Sequence, residues 1–195
     1  YQSTYEMGVF LQSIGGSLYK IDDNGKPVAT VDTPEMKKYL EFVKELQNYM
    51  PEDSVTMEGT EQRNQFCNGN IGMMESGPWE YGEIDMEGLS FTVELGLIPA
   101  GDAGSYSTSG GFQLGIGSKS NNVETAWTFI KWLTENPDQA AAFGGTNLPT
   151  IEAAYNEGTF ADSKYDIFKE QLKTSNIPQI PVANLNEVMN TFDEY

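Results

Sequence analysis

The fold is organised around one stretch, residues 71–81, which reads IGMMESGPWEY. The apolar run from Ile71 to Met74 predicts a short buried strand, and the small residues that follow predict a turn. Pro78 suits the first turn of a helix, so a helix is expected to begin at Trp79. A strand that feeds a helix through such a turn places the turn at the carboxyl edge of a sheet, where ligands bind in open α/β folds. The indole of Trp79 is therefore expected either in a binding crevice or in the core under the turn.

Composition restricts the classes of function. Among 195 residues, 29 Asp and Glu outweigh 11 Lys and Arg, for a net charge of −18. Such a surface repels polyanions, so binding to nucleic acid or anionic lipid is not expected. The chain has no histidine, so the commonest general base and the commonest metal ligand are absent. Cys67 is its single cysteine, so no internal disulfide can form. We therefore predict no metal and no cofactor.

Periodicity along the chain predicts alternating helices and strands. Asp22-Asp23-Asn24-Gly25 is a strong turn signal and predicts a hairpin of strands 17–21 and 28–31. Thr33 is expected to cap a helix with Pro34 in its first position, and Asn121 is expected to form a capping box with Glu124. Asn136 is expected to cap a short helix that follows and extends through Phe143. The mixture predicts an α/β fold. Further strands are predicted at 89–97 and 112–116, and helices at 1–12, 33–46, 60–68, 123–133, 165–172 and 184–195.

The order of these signals resembles the maltose-binding-protein-like family of extracellular solute-binding proteins, the carbohydrate receptors of ABC importers. Each motif alone is weak, but together they extend over nearly the whole chain. The resemblance implies the type II periplasmic-binding-protein fold, in which two lobes close on a ligand. The motifs are Gly15-Gly16 before a hairpin, Phe66 to Asn68-Gly69 leading to Gly72-Met73, Gly77-Pro78-Trp79-Glu80-Tyr81, Gly110-Gly111 before a strand, Ser118-Lys119 before a Trp-containing helix, Leu148-Pro149, and Ile177-Pro178-Gln179-Ile180-Pro181.

The resemblance also implies that this chain is the C-terminal portion of a receptor whose N-terminal half is missing. Residues 1–109 would form part of the second lobe, residues 110–160 an excursion that packs on the absent first lobe, and residues 161–195 a return to the second lobe. The excursion helix would then expose Trp127 and Ile130, and burial of each is worth roughly 1.5–3 kcal/mol. The chain alone is therefore expected to self-associate or to need the missing lobe.

A sugar has an apolar face and a rim of hydroxyls, so its receptor needs an aromatic platform with fixed donors and acceptors. The resemblance implies that Trp79 is this platform and that Tyr5 is a second platform or a hydroxyl donor. Where the family often has an aromatic on its last helix, this chain has Asn186 and its polar neighbours, which suggests a more polar sugar. The expected ligand-binding residues are Trp79, Tyr5, Glu80, Tyr81, Ser109, Gly110, Gly111 and Asn186.

Simpler interpretations stay open for several of these residues. Glu80 is also interpreted as a solvated residue of a first helical turn, where the helix dipole favours a negative charge. Tyr5 is also interpreted as an ordinary helix-face aromatic, and the glycines as residues that only permit a turn.

The implied function is that of a non-enzymatic extracytoplasmic receptor, at the periplasm or cell surface and lipid-anchored in its full-length form. It would deliver a sugar or oligosaccharide to the permease subunits of an ABC transporter. Two alternatives stay open. Glu75 and Glu80 form a carboxylate pair of the kind that a glycoside hydrolase uses, and the same fold is suited to a non-sugar interaction module.

Overall fold

The computed structural model describes residues 4–54, 56–176, 187 and 190–191. The chain divides into two compact units. Unit 1 comprises Tyr1–Ser76, Val93–Ser109 and Gln171–Tyr195, and unit 2 comprises Gly77–Thr92 and Gly110–Glu170. These limits differ from the predicted segments 1–109, 110–160 and 161–195, chiefly because residues 77–92 cluster with unit 2. The assignment of segments to receptor lobes stays a prediction.

Unit 1 combines helices with two small pairs of strands. Its antiparallel hairpin pairs β1 with β2, and its parallel pair joins β3 to β4. The helices are α1 (Thr4–Ile14), α2 (Pro34–Leu46) and α3 (Gly59–Cys67), and the strands are β1 (Tyr19–Ile21), β2 (Pro27–Ala29), β3 (Ser107–Thr108) and β4 (Ser175–Asn176).

Local side chains explain why these elements begin and end where they do. The hydroxyl of Thr33 accepts a hydrogen bond of 3.2 Å from the amide of Met36, and Pro34 occupies the first position of α2, as predicted. The Asp22 carboxylate accepts from the amides of Asn24 and Lys26 at 2.9 and 2.8 Å and closes the hairpin turn. The predicted cap of α2 and the predicted hairpin are confirmed.

The core of unit 1 lies between α1 and α2, where Leu11, Met36 and Tyr39 are buried together. The connection 93–109 is tied to α1 through Ser13. The carbonyl of Ser13 accepts from the amide of Ala103 at 2.9 Å. The hydroxyl of Ser13 accepts from the amide of Tyr106 at 3.3 Å. These bonds hold the segment that leads into β3 against the end of α1.

Unit 2 is built from short helices around an aromatic core. Phe160 and Tyr165 are fully buried at its centre, together with three alanines. Asn136 caps the helix that begins at Pro137 by accepting from the amide of Gln139 at 3.3 Å, as predicted. The helices are α4 (Glu80–Glu83), α5 (Val123–Glu135), α6 (Pro137–Gly144) and α7 (Asp166–Leu172), the last of which runs into unit 1, with 3₁₀ turns at Glu152–Asn156, Gly158–Ala161 and Ser163–Tyr165.

Three predicted strands are wrong. Residues 71–74, 89–97 and 112–116 belong to no strand in the part of the chain that the structure describes. Met73 and Phe112 are each 89% exposed, so the apolar runs are not buried either. The physical reason is that a strand is defined by the ladder that a distant segment supplies, whereas alternation reports only local suitability.

The predicted capping box of α5 is also wrong. The helix begins at Val123, as predicted, but its N-cap is Asn122 and not Asn121, and the Asn122 side chain makes no capping hydrogen bond. Its backbone angles, φ −125° and ψ 42°, lie outside the extended region from which an N-cap side chain normally reaches the first turn.

The remaining helix predictions have two outcomes. Those at 60–68 and 165–172 correspond to α3 and α7 and are confirmed. In the predicted last helix, residues 187, 190 and 191 are described and are helical, and the other positions lie outside the described residues. Over the residues that the structure covers, no helix combines the length and the apolar character that a membrane crossing would require.

Candidate functional site

The candidate site is the turn and short helix that follow residue 76, all within unit 2. The amide of Glu80 donates to the carbonyl of Gly77 at 3.1 Å, and the amide of Tyr81 donates to the carbonyl of Pro78 at 3.2 Å. Pro78 has no amide hydrogen and a fixed φ, so it starts this turn without losing a hydrogen bond. Trp79 is the N-cap of α4, which confirms a helix start at this position to within one residue.

The indole of Trp79 rests on the backbone of Gly77. A Cβ atom placed on Gly77 would lie 2.1, 2.3 and 2.6 Å from Cζ3, Cη2 and Cε3 of the indole. Similar distances to three adjacent ring carbons mean that the face of the ring, and not its edge, lies over the glycine. Any larger residue at position 77 would displace the ring. Gly77 thus provides the seat for the indole.

Trp79 is not sealed inside the protein. Its side chain is partly exposed, and it is not a member of the buried core of unit 2. Because one face of the indole covers Gly77, a ligand that stacks on Trp79 would have to use the opposite face. The interpretation of Trp79 as core filling therefore receives no support from the packing of unit 2.

Glu80 lies beside the indole and is 9% exposed. Its Oε1 accepts a hydrogen bond of 3.1 Å from Nε1 of Trp79. Bonds from an N–H group to a carboxylate are among the stronger hydrogen bonds in proteins. The interpretation of Glu80 as a solvated first-turn residue is wrong, because its side chain is buried against the indole.

Tyr81 connects the site to the aromatic core. Its ring centroid lies 5.2 Å from that of Tyr165 and 6.1 Å from that of Phe168. Its hydroxyl donates to the carbonyl of Lys164 at 3.4 Å, and the ammonium of Lys164 lies 4.9 Å from the ring centroid. Burial raises the pKa of the Tyr81 phenol, and neighbouring Tyr165 and Asp162 raise it further. Tyr81 therefore anchors α4, and its contact with a ligand stays a prediction.

The other predicted residues are placed as follows. Tyr5 lies on α1 of unit 1, and its side chain is outside the part that the structure describes. Asn186 lies outside the described residues. Ser109 directly follows β3, at the carboxyl end of the parallel β3–β4 pair. Gly110 and Gly111 are exposed, and a Cβ on Gly111 would meet nothing within 4 Å. Their roles stay predictions.

Two residues that support the site, Gly77 and Lys164, were not predicted from the sequence to do so. Gly77 was recognised as part of the turn, but its function as a seat follows only from the position of the ring. The signal that could have found it is a small residue two positions before an aromatic. Lys164 contacts Tyr81 across a separation of 83 residues, and no local pattern indicates that contact.

The arrangement offers a flat apolar surface and not a set of metal ligands. Among the residues that the structure describes, no three His, Cys, Asp or Glu side chains are grouped so that they could hold a metal ion. A held indole face suits a ligand that presents an apolar face of its own. Binding of a ligand at this surface stays a prediction.

The class of protein to which this α/β chain belongs is that of the solute-binding proteins. The chain is a member of the bacterial extracellular solute-binding protein family, whose family model matches residues 1–166. It is 29% identical over 139 residues, 70% of its length, to the maltotriose-binding protein of Pyrococcus abyssi, of which it covers 30%. The predicted relationship to solute-binding proteins is confirmed.

Solved structures show the same fold. Maltose-bound MalE3 of T. maritima matches 98% of this chain with a TM-score of 0.79 and 25% identity. The maltose-maltodextrin binding protein of Alicyclobacillus acidocaldarius matches 98% with a TM-score of 0.66 and 18% identity. This chain covers 51% and 55% of those two proteins, so it spans about half their length. The predicted periplasmic-binding-protein-like fold is confirmed.

Proposed function

We propose that this chain is part of an extracytoplasmic receptor that binds a sugar or oligosaccharide and delivers it to the permease subunits of an ABC transporter. The observation that carries the proposal is the partly exposed indole of Trp79, which packs one ring face on Gly77. Family membership and the maltotriose- and maltose-binding relatives support it. In the complete receptor we expect two lobes, with the ligand between them, and a lipid anchor at the periplasmic or cell surface.

Trp79 would stack on the apolar face of a sugar ring, and other groups would bind its hydroxyls. Ser109 is a good candidate because it follows β3 at the carboxyl end of a parallel pair, the edge at which α/β folds bind ligands. Gly110 and Gly111 would offer backbone groups beside it. Tyr5, Tyr81 and Asn186 complete the proposed set of contacts.

The proposed lobe arrangement explains why several aromatic side chains around α5 are exposed. Trp127, Phe129 and Trp132 are 52%, 56% and 50% exposed, and the rings of Phe129 and Trp132 lie 6.0 Å apart. Only Leu133 of this helix is buried. Since solved relatives are about twice as long as this chain, we propose that the first lobe, in the part of the receptor not spanned here, covers these side chains.

Sugar binding is tested by calorimetry, in which the complete receptor is titrated with maltose, maltotriose and a panel of other saccharides. We expect saturable binding without turnover, and a loss of about 1–3 kcal/mol of binding free energy in Trp79→Ala. Trp132→Ala is the control, since it removes an exposed indole that lies on α5 and not in the turn that carries Trp79. Unchanged affinity in Trp79→Ala would show that Trp79 is not the platform, and absence of binding to every saccharide would contradict the proposal.

The role of the exposed aromatic side chains of α5 is tested by light scattering. The chain alone is expected to self-associate, and a Trp127→Glu/Trp132→Glu variant is expected to be monomeric, because charged side chains then replace two exposed indoles. Tyr49→Glu is the control, since Tyr49 is 80% exposed and lies in unit 1. Co-production with the remaining part of the receptor should suppress the self-association. A stable monomer of the unaltered chain at high concentration would contradict this part of the proposal.

The glycoside hydrolase alternative is not proposed. One of its two carboxylates, Glu80, is buried and accepts a hydrogen bond from Trp79. The solute-binding relatives also favour binding without catalysis. Release of the aryl group from an aryl glycoside, abolished by Glu75→Gln, would reverse this choice.

A further inference from the structure

Two independent contacts hold the indole of Trp79. The first is with Gly77, over which one face of the benzo ring lies. The second is with Glu80, whose Oε1 accepts from Nε1 at 3.1 Å on the pyrrole side of the same ring system. The contact with Gly77 limits how closely the ring approaches the backbone. The hydrogen bond to Glu80 restrains rotation of the indole about its side-chain bonds. Together the two contacts restrain the indole in the orientation that the structure shows.

Glu80 is well placed for such a supporting role. It is 9% exposed and is the first residue of α4, where the amide groups of a helix N-terminus favour a negative charge. Its position beside Trp79 in the sequence means that the two side chains share the same rigid turn. A buried carboxylate in this position has little freedom to turn toward a ligand hydroxyl.

The hydrogen bond also changes what the platform offers to a ligand. An indole has one donor, the Nε1–H group, and no acceptor. Because Glu80 occupies that donor, Trp79 presents an apolar ring face without a hydrogen-bonding group. Ligand hydroxyls must then find their partners elsewhere in the site.

We infer that Glu80 is a positioning residue that fixes the indole of Trp79 and makes the platform a stacking surface alone. This inference rests on the proposed function and deepens it, since it assigns to Glu80 a support of the platform instead of a contact with sugar hydroxyls. The substrate class that follows is a saccharide with a continuous apolar C–H face on the ring that stacks.

The test compares Glu80→Gln, which keeps an oxygen acceptor, with Glu80→Met, which has similar length and no acceptor of comparable strength. The complete gene product is labelled with ¹⁵N, and the indole N–H resonance of Trp79, one of three tryptophans, is assigned by its loss in Trp79→Phe. We expect a large shift of that resonance in Glu80→Met and a small one in Glu80→Gln. For maltotriose, we expect Glu80→Met to weaken binding about 3- to 10-fold and Glu80→Gln by less than about 2-fold.

A double-mutant cycle separates positioning from direct contact. In a Trp79→Phe background there is no indole N–H group, so Glu80→Met should have no further effect on maltotriose affinity. An equal loss in that background would show that Glu80 acts on the ligand directly, and would overturn the inference. If Glu80→Met fails to fold, Glu80→Leu takes its place in the same comparison and cycle, because leucine also lacks an acceptor.

The resonance measurement keeps this inference distinct from the proposed function. If maltotriose and the other saccharides do not bind, the proposed function fails, while the shift in Glu80→Met still reports whether Glu80 holds the indole. An indole N–H resonance that does not move in Glu80→Met would overturn the inference even if sugar binds.

Discussion

The rings of Phe160 and Tyr165 meet edge to face, with centroids 4.9 Å apart and an interplanar angle of 67°. Both side chains are fully buried at the centre of unit 2. Tyr81 packs on Tyr165 at 5.2 Å, so the short helix that follows Trp79 is anchored on this pair. The aromatic core of unit 2 therefore supports the turn that presents the indole.

Removal of the Tyr165 hydroxyl should be tolerated, whereas removal of its ring should not. The hydroxyl oxygen is buried without a hydrogen-bond partner among the described residues. An unpaired buried polar group is unfavourable, so Tyr165→Phe is expected to leave stability unchanged or to raise it slightly. Tyr165→Ala opens a cavity and should cost about 3–5 kcal/mol. Urea unfolding of both variants measures the difference, and a large loss in Tyr165→Phe would indicate a partner for the hydroxyl.

Unit 2 should lose stability at high pH. Burial raises the pKa of the Tyr155 and Tyr165 phenols, and nearby Asp162 raises that of Tyr165 further. The folded protein thus favours the neutral phenol. The stabilisation is complete below the unfolded pKa of about 10 and is lost as pH rises through the higher folded value.

Urea midpoints measured from about pH 8 to about pH 11 should therefore fall at the alkaline end. Tyr165→Phe should reduce the fall, because it removes one of the titrating groups, and it serves as the control for effects of pH elsewhere in the chain. A decline of equal size in Tyr165→Phe would mean that Tyr165 does not contribute to it.

Gly101 should not tolerate a side chain. A Cβ at this position would lie 2.4 Å from the carbonyl oxygen of Ser13 and 2.7 Å from its carbonyl carbon, both in the backbone of α1. Helix backbone cannot move aside as a flexible side chain can, so Gly101→Ala is expected to cost about 1–3 kcal/mol. Thermal unfolding provides the measurement.

Gly96→Ala is the matched control from the same segment of unit 1. A Cβ at Gly96 would meet nothing within 4 Å. Restriction of the unfolded chain should then make this variant neutral or more stable, by about 0.4–1 kcal/mol. Equal destabilisation by the two substitutions would show that the contact with Ser13 is not the cause.

The two longest helices should respond differently to loss of their N-cap side chains. Thr33 accepts a hydrogen bond from the amide of Met36, whereas Asn122 makes no capping bond at α5. Thr33→Ala is therefore expected to cost about 1 kcal/mol, and Asn122→Ala to have almost no effect. Both follow from urea unfolding monitored by circular dichroism, and comparable losses would mean that Asn122 caps α5 in solution.

Signals that involve neighbouring residues predicted local structure well. Thr33 with Pro34, the turn that starts at Asp22, and Asn136 at the start of α6 each act through hydrogen bonds to amides two to four positions away. Such bonds depend on the order of residues and not on the rest of the chain. For the same reason the helix start at Trp79 was predictable.

The absence of strands at 89–97 and 112–116 was not predictable in this way. Their alternation is suitable for a sheet, but a ladder needs a second segment in register, and none pairs with them among the residues described. Likewise, the motif around Trp79 predicted a platform but not its support. Whether Glu80 faced solvent or the indole depended on the side-chain rotamers and on burial.

The sequence by itself determined the family, the helix caps, the hairpin and the choice of Trp79 as the residue of interest, because these depend on residue type and short spacing. Only the tertiary structure decided that the indole lies on Gly77, that Glu80 is buried against it and that Tyr81 is held by Tyr165. Those contacts depend on which surfaces exclude water when distant segments pack, and that is a property of the folded chain as a whole.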